Sequence, residues 1–178
     1  MKYVTFETKF GFYGILSDQG GILRTSLPVP DRKTSEKHLL EGLEGGKYSS
    51  GLMIGVQKQI KLYFSGTYVE FDDNISLLLD DLSQFSQDIL NACLKIPYGQ
   101  TVSYGELAKM ANHPKAARAV GNAMGNNPIP LIIPCHRVLK SDSSIGGFQR
   151  SRPGGINLKK RMLALEKNKK SLNPMLIQ

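Results

Sequence analysis

Residues 134–138 read Pro-Cys-His-Arg-Val, and three prolines, Pro128, Pro130 and Pro134, fence the short apolar run that leads to Cys135. A proline fixes its own φ and has no N–H, so this run is a stiff approach path to whatever it presents. What it presents is a thiol beside an imidazole and a guanidinium. A thiol of ordinary pKa, about 8.5, is almost entirely protonated at neutral pH, so an efficient sulfur nucleophile needs a nearby base or cation. His136 and Arg137 supply one of each. Neighbouring residues of an extended chain point to opposite faces, however, so adjacency alone does not bring His136 to the thiol. A turn or a bridging water is required. Chance also places histidines beside buried, inert cysteines, and the rest of the chain has to decide.

The second cysteine, Cys93, recurs with Phe85 and Ile89 at a four-residue spacing, which puts all three on one helix face and reads as core. It is assigned no chemistry. Cys93 and Cys135 are too few and too far apart for a disulfide framework, and histidines at 38, 113 and 136 give no metal-ligand spacing. No metal and no cofactor is expected. The N-terminal stretch MKYVTFETKFGFYG lacks the apolar core of a signal peptide, and no apolar run approaches the roughly 20 residues of a spanning helix. A cytoplasmic protein is expected, nuclear if the source is eukaryotic, with no membrane partner. Residues 1–80 hold 9 Lys/Arg against 10 Asp/Glu and residues 81–178 hold 14 against 5, so the net charge of +8 resides in the second half. A basic half suits a polyanion such as nucleic acid, although basic surfaces also serve plain solubility.

The elements that must position the thiol divide at about residue 78. Strand-like alternation covers Tyr3–Thr8, Phe12–Ser17 and Ile22–Leu27, with Asp18-Gln19-Gly20-Gly21 as a hairpin turn. Helical patterns follow at Thr34–Leu43 and Leu52–Phe64, then a candidate strand at Tyr68–Phe71 and a linker around Asp72-Asp73-Asn74. The second half is mainly helical. Ser103-Tyr104-Gly105-Glu106 has the spacing of a capping box, Asn112-His113-Pro114 breaks that helix, and Pro114 suits the first turn of a second helix, Lys115–Met124, with Gly125 as a left-handed cap. Two short helices on a tight turn make a helix-turn-helix candidate. The second is nearly bare, with Ala116, Ala117, Ala119, Gly121 and Ala123 around Lys115 and Arg118. Small residues allow close approach, either to a DNA groove or to a neighbouring helix.

Taken together, these segments resemble the O6-alkylguanine-DNA alkyltransferases. The Pro-Cys-His-Arg-Val segment is the hallmark of that family. Tyr98-Gly99-Gln100-Thr101-Val102-Ser103-Tyr104, Pro114-Lys115-Ala116-Ala117-Arg118-Ala119-Val120-Gly121, Asn127-Pro128 and Leu163-Ala164-Leu165-Glu166 follow the family order. The likeness is strongest over residues 85–167, while Tyr63-Phe64-Ser65-Gly66 and Phe71-Asp72 resemble the end of the family's first domain. The resemblance implies an α+β fold: a ribonuclease-H-like domain with an antiparallel sheet over residues 1–78, then a mainly helical domain over 79–178 that binds DNA and transfers the alkyl group.

The implied chemistry is a stoichiometric, irreversible transfer of an alkyl group from O6-alkylguanine in double-stranded DNA to Cys135, after the base is flipped out through the minor groove. On the matching positions, His136 takes the thiol proton through a water and Glu166 orients the imidazole. Tyr104 crowds the phosphate and offers its hydroxyl to the base. Asn127 braces the DNA-binding helices against the active-site segment. Arg118 enters the base stack, and Ala117, Lys115 and Thr101 lie on the DNA-binding surface. Met124, Val138, Gly147 and Phe148 form the base pocket. A monomer is expected. The loop Gln149–Gly155 is longer than the usual glycine-rich one. Gln149 and Ser151 become the candidate contacts to the guanine oxygen, and Arg150 and Arg152 candidate phosphate contacts. The alternative is a non-catalytic sensor of alkylated DNA, which lacks the reactive cysteine. A helix-turn-helix regulator would need base-reading side chains in place of the alanines, and a cysteine hydrolase would turn over repeatedly.

Overall fold

The structure, a computed structural model, describes residues 1–72, 74–148 and 153–167. The chain divides into two compact units. Of the described residues, those of 1–79 and the short segment 128–130 form the first, and those of 80–127 and from Leu131 to Lys167 form the second.

In the first unit β1 (Lys2–Thr8), β2 (Gly11–Asp18) and β3 (Gly21–Val29) form an antiparallel meander. The β2–β3 turn has positive φ at both Gln19 (44°) and Gly20 (85°), which matches the right-handed twist of the strands it joins. The strands bury Val4, Phe6, Tyr13, Ile15, Leu16, Ile22 and Leu27, with β2 buried continuously from Tyr13 to Ser17. Against them pack α1 (Arg32–Leu40), capped by Asp31 through the Thr34 amide at 2.9 Å, and α2 (Ile54–Phe64). A short β4 (Lys47–Tyr48), not anticipated from sequence, runs parallel to β1, giving the order β3-β2-β1-β4.

The strand expected at Tyr68–Phe71 does not form. Only Val69 of the four is buried, which gives the run no face to commit to a sheet. The segment that follows pairs with the start of β3 instead: the Ile22 amide donates to Ser76 O at 2.8 Å and the Leu78 amide to Ile22 O at 2.9 Å.

In the second unit α3 (Gln84–Leu94) buries Ile89 and Cys93 as its spacing predicts, whereas Phe85 is only half-buried and lays its ring against His113. α4 (Tyr104–Met110) opens on the predicted capping box: the Ser103 hydroxyl accepts from the Glu106 amide at 3.1 Å and the Glu106 carboxylate from the Ser103 amide at 2.6 Å. It ends with Asn112 in the left-handed region (φ 61°). The His113 amide donates to Ala108 O at 2.8 Å and the Asn112 amide to Lys109 O at 3.0 Å, so a reversed turn satisfies the last carbonyls. α5 (Ala117–Gly125) therefore starts two residues later than expected, with Pro114 and Lys115 in the turn. The left-handed cap expected at Gly125 is absent, because the helix runs through Gly125 and closes on Asn126 at φ −101°.

Two further elements complete the second unit: a parallel pair, β5 (Val102–Ser103) with β6 (Val138–Leu139), and α6 (Gly155–Lys167). Among the described residues no helix is long and apolar enough to cross a membrane.

Candidate active site

The fence of prolines ends in a single 3-10 turn over Cys135–Arg137, which β6 follows directly. The turn is closed by the Arg137 amide, which bonds to Pro134 O at 2.8 Å, so the three side chains fan out instead of alternating as they would in a strand. β5–β6 pairing ties the end of the turn to the residues that open α4, and α6 packs against the turn itself.

Cys135 is 5% exposed, and His136 and Glu166 are 0% and 1% exposed. His136 Nε2 lies 2.7 Å from Glu166 Oε1. A carboxylate only accepts, so Nε2 carries the proton and Nδ1 is the basic nitrogen. Burial holds the imidazole below its usual pKa against the pull of Glu166, so the ring rests neutral and able to take a proton. Glu166 also accepts from Arg137 Nε at 2.9 Å and Nη2 at 3.0 Å, and from the Gly99 amide at 2.9 Å. Burial works against its charge, but the hydrogen bonds and charges of His136 and Arg137 prevail and hold its carboxyl down at about 2. Arg137 is fixed in turn by Ile96 O at 2.7 Å and by the Tyr98 ring beneath its guanidinium.

Burial pushes the Cys135 thiol up. A hydrogen bond from the Asn127 side chain, the charge of Lys159 and the backbone amides of the turn oppose that rise. Asn127 Nδ2 also donates to Ile133 O at 3.0 Å, so one side chain touches both the thiol and the segment leading to it.

A cleft of about 630 Å³ opens in the same unit, lined by Tyr104, Ala117, Arg118, Gly121, Asn122, Gly125, Asn126, Lys140, Gly146, Gly147 and Phe148. It brings together five of the residues singled out in the sequence: Tyr104, Ala117, Arg118, Gly147 and Phe148. Met124 and Val138 are buried, 6% and 0% exposed, and among the described residues they and Cys135 are not part of its lining. Thr101 lies apart, in a smaller cleft with Gly99, Gln100, Leu163, Glu166 and Lys167, and Lys115 is exposed on the turn before α5. Gly146 is the glycine this arrangement requires, since a Cβ there would meet the Tyr104 hydroxyl at 2.5 Å. Residues 149–152, with the expected contacts of Gln149, Arg150, Ser151 and Arg152, lie outside the described residues.

Sequence reasoning passed over Lys159, which is 0% exposed. Its Nζ donates to Val138 O at 2.6 Å and faces the rings of Phe148 and Tyr104 at 5.7 and 6.0 Å. Burial lowers it to about 8 despite the favourable field of the two cysteines. The available signal was its spacing to Met162 and Glu166, three and seven residues on, which shares their buried face.

Residues 84–168 match the family profile described as the DNA-binding domain of 6-O-methylguanine DNA methyltransferase. The methylated-DNA–protein-cysteine methyltransferase of Mycobacterium tuberculosis is 44% identical over 119 residues, 67% of this chain and 68% of the relative. That of Methanosarcina acetivorans is 31% identical over 166 residues, 93% of this chain and 98% of the relative. The crystal structure of Mycobacterium tuberculosis OGT in complex with DNA superposes with a TM-score of 0.76 at 33% identity, covering 94% of each chain.

Proposed function

The chain belongs to the methylated-DNA–protein-cysteine methyltransferase family, and from that premise we infer that it repairs alkylated DNA by moving the alkyl group onto Cys135. The observation that carries the assignment of roles is the buried chain of contacts from Glu166 to His136 on the turn that presents the thiol. The neutral imidazole takes the thiol proton, and Glu166 stabilises the imidazolium that results. The sulfur attacks the alkyl carbon, an S–C bond forms as the C–O6 bond breaks, and guanine departs with the electron pair. Tyr104, in the cleft wall, offers its hydroxyl to the leaving base. The thioether is stable, so each molecule acts once.

The first unit is read as the family's ribonuclease-H-like domain and α4–α5 as a helix-turn-helix whose bare second helix enters the minor groove. Arg118, on the rim of the cleft, fills the gap left by an extruded nucleotide, and Ala117 allows the close approach. Thr101, Lys115 and the unanticipated Lys140 extend the basic surface along the phosphates.

Incubation with duplex DNA containing O6-methylguanine tests this. Intact mass should rise by one methyl in place of the thiol hydrogen, on the peptide bearing Cys135, and transfer should stop at one equivalent. Repeated turnover, or methylation elsewhere, would refute it. Cys135→Ser should abolish transfer and keep duplex affinity. Arg118→Ala should slow repair in duplex DNA at least tenfold while leaving reaction with free O6-benzylguanine unchanged, because a free base needs no extrusion; unstacking costs a few kcal/mol and each 1.4 kcal/mol is tenfold. Equal losses on both substrates would mean Arg118 only supports the fold.

A further inference from the structure

The proline fence has a second property beyond stiffness. Pro128 and Pro130 have no N–H, so their backbone offers only carbonyls, and side chains and backbone of the first unit take hold of both. The Thr25 amide donates to Pro128 O at 2.9 Å, the Thr25 hydroxyl to Pro130 O at 3.1 Å, and the Tyr13 hydroxyl to Pro130 O at 2.8 Å. Both partners are interior, Tyr13 at 0% exposed and Thr25 at 5%, as is Ile129 between the two prolines at 0%. Pro130 O therefore accepts two buried hydrogen bonds from two different strands, which is more than satisfying one carbonyl requires.

That carbonyl belongs to the peptide plane whose nitrogen is Leu131. Leu131 itself has φ 80°, a left-handed conformation that costs a leucine about 1–2 kcal/mol, and its side chain is 1% exposed. With the plane pinned on one side and the side chain packed on the other, the backbone cannot relax out of this bend. The bend sets the course of residues 131–135, which bring Ile133 O to the Asn127 amide and Cys135 to its turn.

We propose that Tyr13 and Thr25 are positioning residues for alkyl transfer: by pinning the Pro130 carbonyl they hold the Leu131 bend and so the placement of the Cys135 sulfur. The proposal rests on the reading of Cys135 as the alkyl acceptor. A displacement on the order of 1 Å at a reacting atom is enough to cost one to two orders of magnitude in rate.

The full-length chain carrying Tyr13→Phe, Thr25→Val, or both, tests this through the single-turnover rate with free O6-benzylguanine, well below the melting point. Both changes are near-isosteric and leave the Thr25 amide bond to Pro128 in place. The double variant should react about tenfold slower or worse. Thr25→Ser, which restores the hydroxyl, should keep the wild-type rate where Thr25→Val loses it. Leu39→Ala, a buried change on α1, controls for lost stability and should leave the rate unaltered. The pH midpoint of Cys135 alkylation by iodoacetamide should move in the double variant and stay fixed in Leu39→Ala. Wild-type rates in both single variants and the double, or a loss in Leu39→Ala equal to theirs, would overturn the proposal. If the double variant does not fold, the single variants and Thr25→Ser decide. A wild-type protein that takes no benzyl group on Cys135 would refute the alkyl-transfer reading itself, and the proposal with it.

Discussion

Glu166→Gln is expected to lower alkyl transfer about a hundredfold or more, the range that loss of a positioned acid–base partner brings. It should also destabilise the fold by about 3–5 kcal/mol, because a buried ion pair loses one member. The carboxylate accepts from His136, from two nitrogens of Arg137 and from the Gly99 amide. An amide presents N–H to at least one of these donors and leaves the Arg137 charge, only 11% exposed, without its counter-ion. The stability effect has a pH signature. The folded carboxyl titrates at about 2, below the unfolded value of about 4.3, so its stabilisation is complete above the unfolded pKa and is lost as pH falls towards 2. The gap between wild type and Glu166→Gln in denaturant unfolding should therefore shrink by about 3 kcal/mol across that window, and a gap independent of pH would mean the carboxylate is not held as described.

Lys159→Met should separate two roles of one cation. In the wild type, burial lowers Lys159 to about 8 from about 10.4 in the unfolded chain, so at neutral pH the fold carries the cost of a buried ammonium. The unfolded chain binds more protons between these values, and wild-type stability should rise relative to the variant by about 3 kcal/mol from pH 7 to pH 10.4. Activity should move the other way. Lys159 is the cation that favours the ionised Cys135, so the variant should react about tenfold more slowly at pH 7, and the wild-type advantage should fade as pH rises through about 8. Iodoacetamide reactivity of Cys135 across pH reads this directly, and parallel profiles for the two proteins would dismiss the role.

What could be read beforehand depended on whether a local rule governed the residue. The Gln19-Gly20 turn, the Ser103–Glu106 capping box and the burial of Ile89 and Cys93 follow from nearest neighbours and periodicity, and each was legible. β4 and β5–β6 are two-residue pairings between distant segments, and no local pattern marks them. The start of α5 shifted because Asn112 adopts a left-handed cap whose bonds consume the residues after it. Lys159 sits in the run Lys159-Lys160-Arg161, where three cations look like one solvated face. The fold turns Lys159 inward and leaves the other two exposed. His136 and Glu166 were paired on family resemblance, whereas the bidentate Arg137 contact was not foreseen, because its halves are 29 positions apart and no local pattern joins them.

The borrowed segment 128–130 bears on recombination between homologues. The first 79 residues are not the whole first unit, since two of its strands close on carbonyls supplied from far along the chain. A graft that joins residues 1–79 of this chain to the remainder of a relative would confront Tyr13 and Thr25 with foreign acceptors, and a fragment ending at residue 79 would expose part of the β3 edge to self-association. The inheritable module is discontinuous: residues 1–79 travel with 128–130, and crossover points that respect this grouping should yield soluble chimeras where a single cut does not.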